Sequence, residues 1–134
     1  MVTIFNAGLG AAFVPSSAIL IAGNSITLDF EVVVTGAPAT VQFFLEQSSD
    51  KPTLSTARWF QEMSEETASG GVVVQAKVIR TFQENGGALL AAGTHRMSTQ
   101  FIRKHRFARI QMRVTVGAAS ARVDAPLDSI LLVP

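Results

Sequence analysis

The sequence predicts an all-β fold: an antiparallel β-sandwich, jelly-roll-like, with about eight strands and an extended N-terminal arm. Along most of the chain apolar and polar residues alternate, which is the period of a strand with one buried face. Glycine, proline and asparagine interrupt these runs at short intervals, and no stretch has a convincing helical pattern. The length of 134 residues suits one domain with its own core.

The N-terminal segment differs from the rest, because its first 28 residues carry no charged side chain. No Lys or Arg opens the segment and Pro15 interrupts its apolar run, so we expect neither a signal peptide nor a membrane span. We expect residues 1–25 to form an apolar arm that ends in a short strand near Ala18–Ala22. Residues 26–134 should form the sandwich.

The apolar side chains of the arm need a surface to cover them, since they are costly to leave in water. That surface is either the core of this domain or a neighbouring subunit. In the second case the arm could add a strand to the sheet edge of the neighbour. The candidate interface residues in the arm are Val2, Ile4, Phe5 and Phe13.

The sandwich is predicted to begin with a hairpin. In "SITLDFEVVVT" the even-numbered residues from Ile26 to Val34 face inward. The alternation resumes in "TVQFFLEQ", with Val41, Phe43 and Leu45 inward. Between these runs, glycine and proline in "TGAP" predict the connecting turn.

The middle of the chain is predicted to alternate between loops and strands. The composition of "SSDKPTLSTA" and "SEETASGG" indicates loops, and "RWFQEM" between them indicates a short strand. In that strand Trp59 and Phe60 should point to opposite faces, so that one lies in the core. The β-branched run "VVVQAKVIRTF" predicts a strand that is covered on both faces or carries a bulge. It ends at "ENGG", which predicts a type I′ turn.

The last third of the chain is predicted to contain four strands. The first, "ALLAAGTHRMSTQF", is expected to kink at Gly93. It is followed by "RFARIQMRVTV", whose even-numbered residues from Ala108 to Val116 face inward. A hairpin partner, "GAASARVDA", should follow across Gly117, and "SILLV" forms the final strand.

Charge is unevenly distributed, although the net charge is only +1. Residues 1–84 carry eight acidic and four basic side chains, whereas residues 85–134 carry two acidic and seven basic ones. Such asymmetry is typical of a nucleic-acid patch or of two complementary protein surfaces. The candidate interface residues in the basic region are Arg103, Arg106, Arg109 and Arg113.

Three kinds of partner are open to these arginines. Arg109 and Arg113 could pair within the chain with Asp29 and Glu31 on an adjacent strand. They could instead meet an acidic surface on a neighbouring subunit, or phosphates. Proteins that bind single strands interleave exposed aromatic residues with basic ones. Because the chain has no tyrosine and one tryptophan, nucleic acid is the least favoured partner.

No constellation of residues points to catalysis. The chain has no cysteine, which excludes disulfides and thiolate sites. His95 and His105 lack further ligands at zinc-site spacing and are expected to face solvent. No serine lies in a Gly-x-Ser-x-Gly elbow, and the carboxylates of Glu65 and Glu66 fall in a predicted loop. We therefore expect a non-enzymatic protein without a metal or cofactor.

Five segments, taken in order, carry a resemblance to a known family: "VTGAPATVQFFLEQ", "SSDKP", "TARWF", "AGTHRMS" and "RFARIQMRVTVGAASARV". Over about residues 26–125 the chain resembles the small β-sandwich virion structural proteins of tailed bacteriophages. The resemblance implies a capsid decoration or cement protein on the capsid surface of the virion, or alternatively a tail or baseplate component. The implied partners are the major capsid protein or other virion proteins, and further copies of the chain in a homo-oligomer, with a trimer favoured. A carbohydrate-binding module is the alternative from another class, with Trp59 as its aromatic contact.

Overall fold

This structure is a computed structural model, and it describes residues 1–126 and 130–132. The described residues contain no helix and pair only in antiparallel fashion, so the predicted all-β class is confirmed. They form eleven strands: β1 (Val2–Gly8), β2 (Val14–Pro15), β3 (Ala18–Leu20), β4 (Ser25–Ser48), β5 (Phe60–Gln61), β6 (Met63–Thr67), β7 (Val73–Lys77), β8 (Arg80–Thr81), β9 (Gly93–Ile102), β10 (Phe107–Ala125) and β11 (Ile130–Leu132).

Two long strands, β4 and β10, form the backbone of the fold. They pair with each other from Asp29 opposite Asp124 to Ser48 opposite Phe107, and we call this pair the long ribbon. The half of the ribbon that contains the start of β4 is flanked by β9 and β1. The other half is flanked by β5 and β8 on one edge and by β2 and β3 on the other, with β11 beyond β3.

The long ribbon bends so that its two halves face each other. The rings of Phe30 and Phe43, both on β4, have centroids 4.8 Å apart. A straight strand would separate two residues at this sequence distance by about 43 Å. Phe82 contacts both rings, at 5.1 and 4.6 Å. The two halves therefore enclose one apolar core, which is the layered packing that a sandwich requires.

The bend lies where the sequence predicted two hairpin turns, at "TGAP" and at Gly117. Both predicted hairpins are wrong, because β4 and β10 each continue through this point. The two breaker segments lie opposite each other, with Ala118 paired to Gly36, and the register shifts here instead of ending. Gly117 has a φ of +74°, a conformation that favours glycine. Since both strands deform together, the ladder bends and does not reverse.

The inward alternation predicted for these strands is largely confirmed. The even-numbered residues from Ile26 to Val34 are buried, as are Val41, Phe43 and Leu45. The even-numbered residues of β10 are buried up to Val114, but Val116 is exposed. The register shift beside Val116 changes the direction of its side chain, which explains the exception.

The N-terminal arm is part of the same sheet. β1 pairs with the end of β10, and β3 coincides with the short strand predicted near Ala18–Ala22. The predicted last strand, "SILLV", corresponds to β11, although its first and last residues lie outside the described residues, as do residues 127–128 and 134 of the predicted sandwich.

Two connections in the middle of the chain differ from the prediction. The loop predicted at "SEETASGG" is half strand: β6 and β7 form a separate two-stranded sheet, which we call the short ribbon, turned by Gly70 and Gly71 at positive φ. Val72, Val73 and Val74 of "VVVQAKVIRTF" are exposed at this ribbon, so the expectation of a strand covered on both faces is wrong. The Asn85–Gly86 turn is confirmed, with φ values of 53° and 78°.

Candidate interaction surface

The apolar residues of the arm serve this chain's own fold. Ile4 and Phe5 are buried in the main core, and Val2 packs against it. Of the two surfaces left open for the arm, the core of this domain is the one that covers Ile4 and Phe5, so neither is available as an interface residue. The register shift between Thr3 and Phe5 lets these adjacent side chains both turn inward. Phe13 is half-buried and packs edge-on against the ring of Phe44, with centroids 4.7 Å apart.

The arginines at the centre of the basic cluster pair within the chain, but with partners other than those expected. Arg109 Nε donates to Glu46 at 2.9 Å. Arg113 donates from Nε and Nη2 to the amide oxygen of Gln42, at 2.9 and 2.7 Å. These pairs follow from the register, which puts this part of β10 opposite residues 42–46 of β4.

The acidic residues that were expected to meet those arginines have partners on β9 instead. Glu31 accepts a hydrogen bond from Arg96 Nε at 3.0 Å, and Asp29 accepts one from Ser98 at 2.6 Å. They lie on the other half of the long ribbon, opposite the far end of β10. The pairing of Arg109 and Arg113 with Asp29 and Glu31 is therefore wrong, although intrachain pairing itself is found.

Both arginines also stack on aromatic rings. The guanidinium of Arg109 lies 4.2 Å from the ring centre of Trp59, and that of Arg113 lies 4.2 Å from the ring centre of Phe13. Each cation thus has a hydrogen-bond acceptor and a π-face within the chain. The ring of Trp59 has one face covered in this way, which leaves it poorly suited to form an open sugar platform.

Neither Trp59 nor Phe60 enters the core, so the expectation that one of them would is wrong. Trp59 is half-buried beneath Arg109, and Phe60 is exposed. Phe60 stacks on the ring of His105, with centroids 5.6 Å apart and planes 27° apart. The strand that carries Phe60 has only two residues and lies at an edge of the sheet, so little of the fold covers it.

Both histidines make contacts within the chain that were not expected. His95 was expected to face solvent, but its side chain is only 9% exposed, with Nδ1 at 2.9 Å from Glu84 and Nε2 at 2.8 Å from the carbonyl oxygen of Ala91. His105 Nδ1 lies 2.9 Å from the hydroxyl of Ser49. Within residues 1–126 and 130–132, no three His, Asp or Glu side chains come together as a metal site would require.

The remaining basic residues lie in the connection between β9 and β10, which we call the basic turn (residues 103–106). Buried Gln47 organises it: its side-chain oxygen accepts hydrogen bonds from the backbone N–H groups of Lys104 and His105, at 2.7 and 3.0 Å. Among the described residues, Arg103, Lys104 and Arg106 form no ion pair. Together with Arg113, whose partner Gln42 is uncharged, these three side chains have no carboxylate partner within the described residues.

An apolar cleft of about 480 Å³ borders the basic turn. Its exposed apolar lining comes from Phe60, Met63 and Ile102, of which Ile102 is 74% exposed. Lys104 and His105 form part of its rim. The cleft is not visible in the sequence, because it is built from four separate segments that only the fold brings together.

The short ribbon also carries exposed apolar side chains. Val72 and Val73 on it are 59% and 61% exposed, and Val74 is 38% exposed. The signal for this hairpin was present in the sequence as two strand-forming runs around "SGG", with a turn type that glycine permits. Composition alone placed "SEETASGG" in a loop and so concealed it.

In the part of the chain that the structure describes, no helix is long and apolar enough to cross a bilayer. The chain was compared with protein-family models, with curated proteins and with solved structures, and it matches none of them.

Proposed function

We propose that this protein is a non-enzymatic structural subunit of a tailed-phage virion, and that it acts as a capsid decoration or cement protein. The observation that carries the proposal is the concentration of exposed apolar side chains on the short ribbon and in the apolar cleft. The sequence resemblance to small β-sandwich virion proteins is the reason for proposing a tailed-phage virion as the particle.

The short ribbon supports an assembly role, because it has little to hold it in isolation. Single exposed apolar residues are ordinary on a protein surface. Here Met63 and three consecutive valines share one two-stranded hairpin. A two-stranded hairpin without a covered face is marginally stable in water. Contact with another protein surface would bury these side chains and stabilise the ribbon at the same time.

The proposal is tested by binding to capsids prepared without this protein. We expect the purified chain to bind them and to raise their resistance to heat. Val74→Asp should weaken binding, because it places a charge on the ribbon. Asn6→Asp adds the same charge at an exposed position of β1 and should bind as the unaltered chain does. Equal binding by the two variants, or no binding by the unaltered chain, would overturn the proposal.

A tail or baseplate position is the second candidate, since the same resemblance implies it. Copy number in a purified particle separates the two. A decoration protein follows the number of capsid subunits, whereas a tail or baseplate component occurs in a small closed ring.

A further inference from the structure

The short ribbon has one predominantly apolar face. Residues directly opposite in an antiparallel pair project to the same side. Glu66 lies opposite Val74, so the two share a face, and alternation puts Val72 and Ala76 on that face as well. Glu65 and Val73 belong to the opposite face. The apolar face thus carries two exposed valines and a single carboxylate.

The apolar cleft has complementary chemistry. Phe60, Met63 and Ile102 supply an exposed apolar lining, and Lys104 stands at the rim. Among the described residues, neither Lys104 nor Glu66 forms an ion pair. An apolar surface with one free positive charge at its edge therefore matches an apolar face with one free negative charge.

The ribbon of a given chain does not occupy that chain's own cleft. Met63 begins the ribbon and lines the cleft, and the strand then leads away from it. Glu66 and Val74 lie three residues further along, about 10 Å away for an extended strand. Val74 and Val72 remain exposed in the folded chain.

We infer that the apolar face of the short ribbon docks in the apolar cleft of a second copy of this chain, with Glu66 against Lys104. The inference rests on the proposed assembly function and names the surfaces that join its copies. Ribbon and cleft are different surfaces, so a single contact leaves one ribbon and one cleft free. All of them are occupied only when the copies close symmetrically, either as a dimer with two reciprocal contacts or as a larger ring.

The test is a charge exchange in the full chain, followed by sedimentation velocity over a range of concentrations. We expect the unaltered chain to self-associate. Glu66→Lys and Lys104→Glu should each raise the dissociation constant about tenfold, equivalent to about 1.4 kcal/mol. The variant with both changes should regain most of the lost affinity, because the ion pair is restored with its direction reversed. Ile102→Asp alters a side chain that is already exposed and should weaken association as well.

Two matched controls separate this contact from a general effect of charge. Glu65→Lys makes the same change one residue away on the opposite face, and Arg96→Glu reverses an exposed cation on β9 that does not line the cleft and lies about 20 Å from Ile102 along an extended strand. Both should associate as the unaltered chain does. A chain that stays monomeric, a double variant that is no better than the single ones, or equal loss in Glu65→Lys would overturn the inference. A monomer that still binds capsids overturns only the inference, whereas an oligomer that ignores capsids overturns only the proposed function.

Discussion

The substitution Gly117→Ala tests the bend of the long ribbon, on which the layered packing depends. Gly117 has a φ of +74°, where an alanine costs about 1–2 kcal/mol. A Cβ at this position would also overlap the carbonyl oxygens of Gly36 and Pro38, and it would lie 3.0 Å from the Cα of Ala39. These are backbone atoms, so relief requires the two strands to separate, which costs about 1–3 kcal/mol more. The expected loss in the free energy of unfolding is therefore about 2–5 kcal/mol.

The matched control is Gly86→Ala. Gly86 has nearly the same φ, +78°, but a Cβ there would meet nothing within 4 Å. Its expected loss is the conformational cost alone, about 1–2 kcal/mol. Urea unfolding followed by circular dichroism measures both variants against the unaltered chain. If the two variants lost the same free energy to within about 0.5 kcal/mol, the close approach of β10 to β4 at the bend would be refuted.

Three further predictions concern the arm, the stacked arginines and the loop after β4. Phe5→Ala should lower the free energy of unfolding by about 3–5 kcal/mol, because it empties a core position. Asn6→Ala, at an exposed position, should change it by less than about 0.5 kcal/mol. Similar values for the two would mean that the arm is not part of the core. Arg109→Ala should lower the free energy of unfolding by about 1–3 kcal/mol and alter the fluorescence of Trp59, the sole tryptophan. Arg96→Ala should lower it by less than about 1 kcal/mol. The reason is burial, because the side chains of Arg109 and Glu46 are 25% and 12% exposed, whereas those of Arg96 and Glu31 are 76% and 41% exposed. Asp50 accepts hydrogen bonds from the backbone N–H of Arg58, which is the larger effect, and from its Nε, and these hold the pKa of the Asp50 carboxyl below its ordinary value of 3.8. The stabilisation of this loop is therefore complete above pH 3.8 and is lost as the pH falls through the lowered pKa. A carboxyl titration by NMR that shows a raised pKa would contradict the contact.

The strand pattern was predictable because alternation reports burial directly. Ile26 to Val34 and Val41 to Leu45 show a period of two, and the structure buries the residues that this period selects. The connectivity was not predictable from the same pattern. A glycine and a proline between two alternating runs indicate a reversal as readily as a bend. The pairing of Gly36 with Ala118 on the partner strand decides between a reversal and a bend. That pairing is a contact between residues far apart in the sequence.

The exposed valines of the short ribbon show that burial, too, cannot always be predicted from the sequence. A run of β-branched residues fits a buried strand, but composition cannot distinguish a buried strand from an exposed one. Val72 to Val74 satisfy the pattern of a core strand, yet they lie on a ribbon that forms its own two-stranded sheet. Composition therefore assigns these exposed valines to the core.

The basic cluster divides into two parts with different roles, and this division directs where a partner can bind. Arg109 and Arg113 each have a hydrogen-bond acceptor and an aromatic ring within the chain, so an external carboxylate or phosphate would compete with contacts that are already made. At the basic turn an approaching anion would displace only water from Lys104. The turn also borders the apolar cleft, so free positive charge and exposed apolar area meet at one place. Since interfaces combine an apolar centre with a polar rim, this end of the molecule has the composition of an interface.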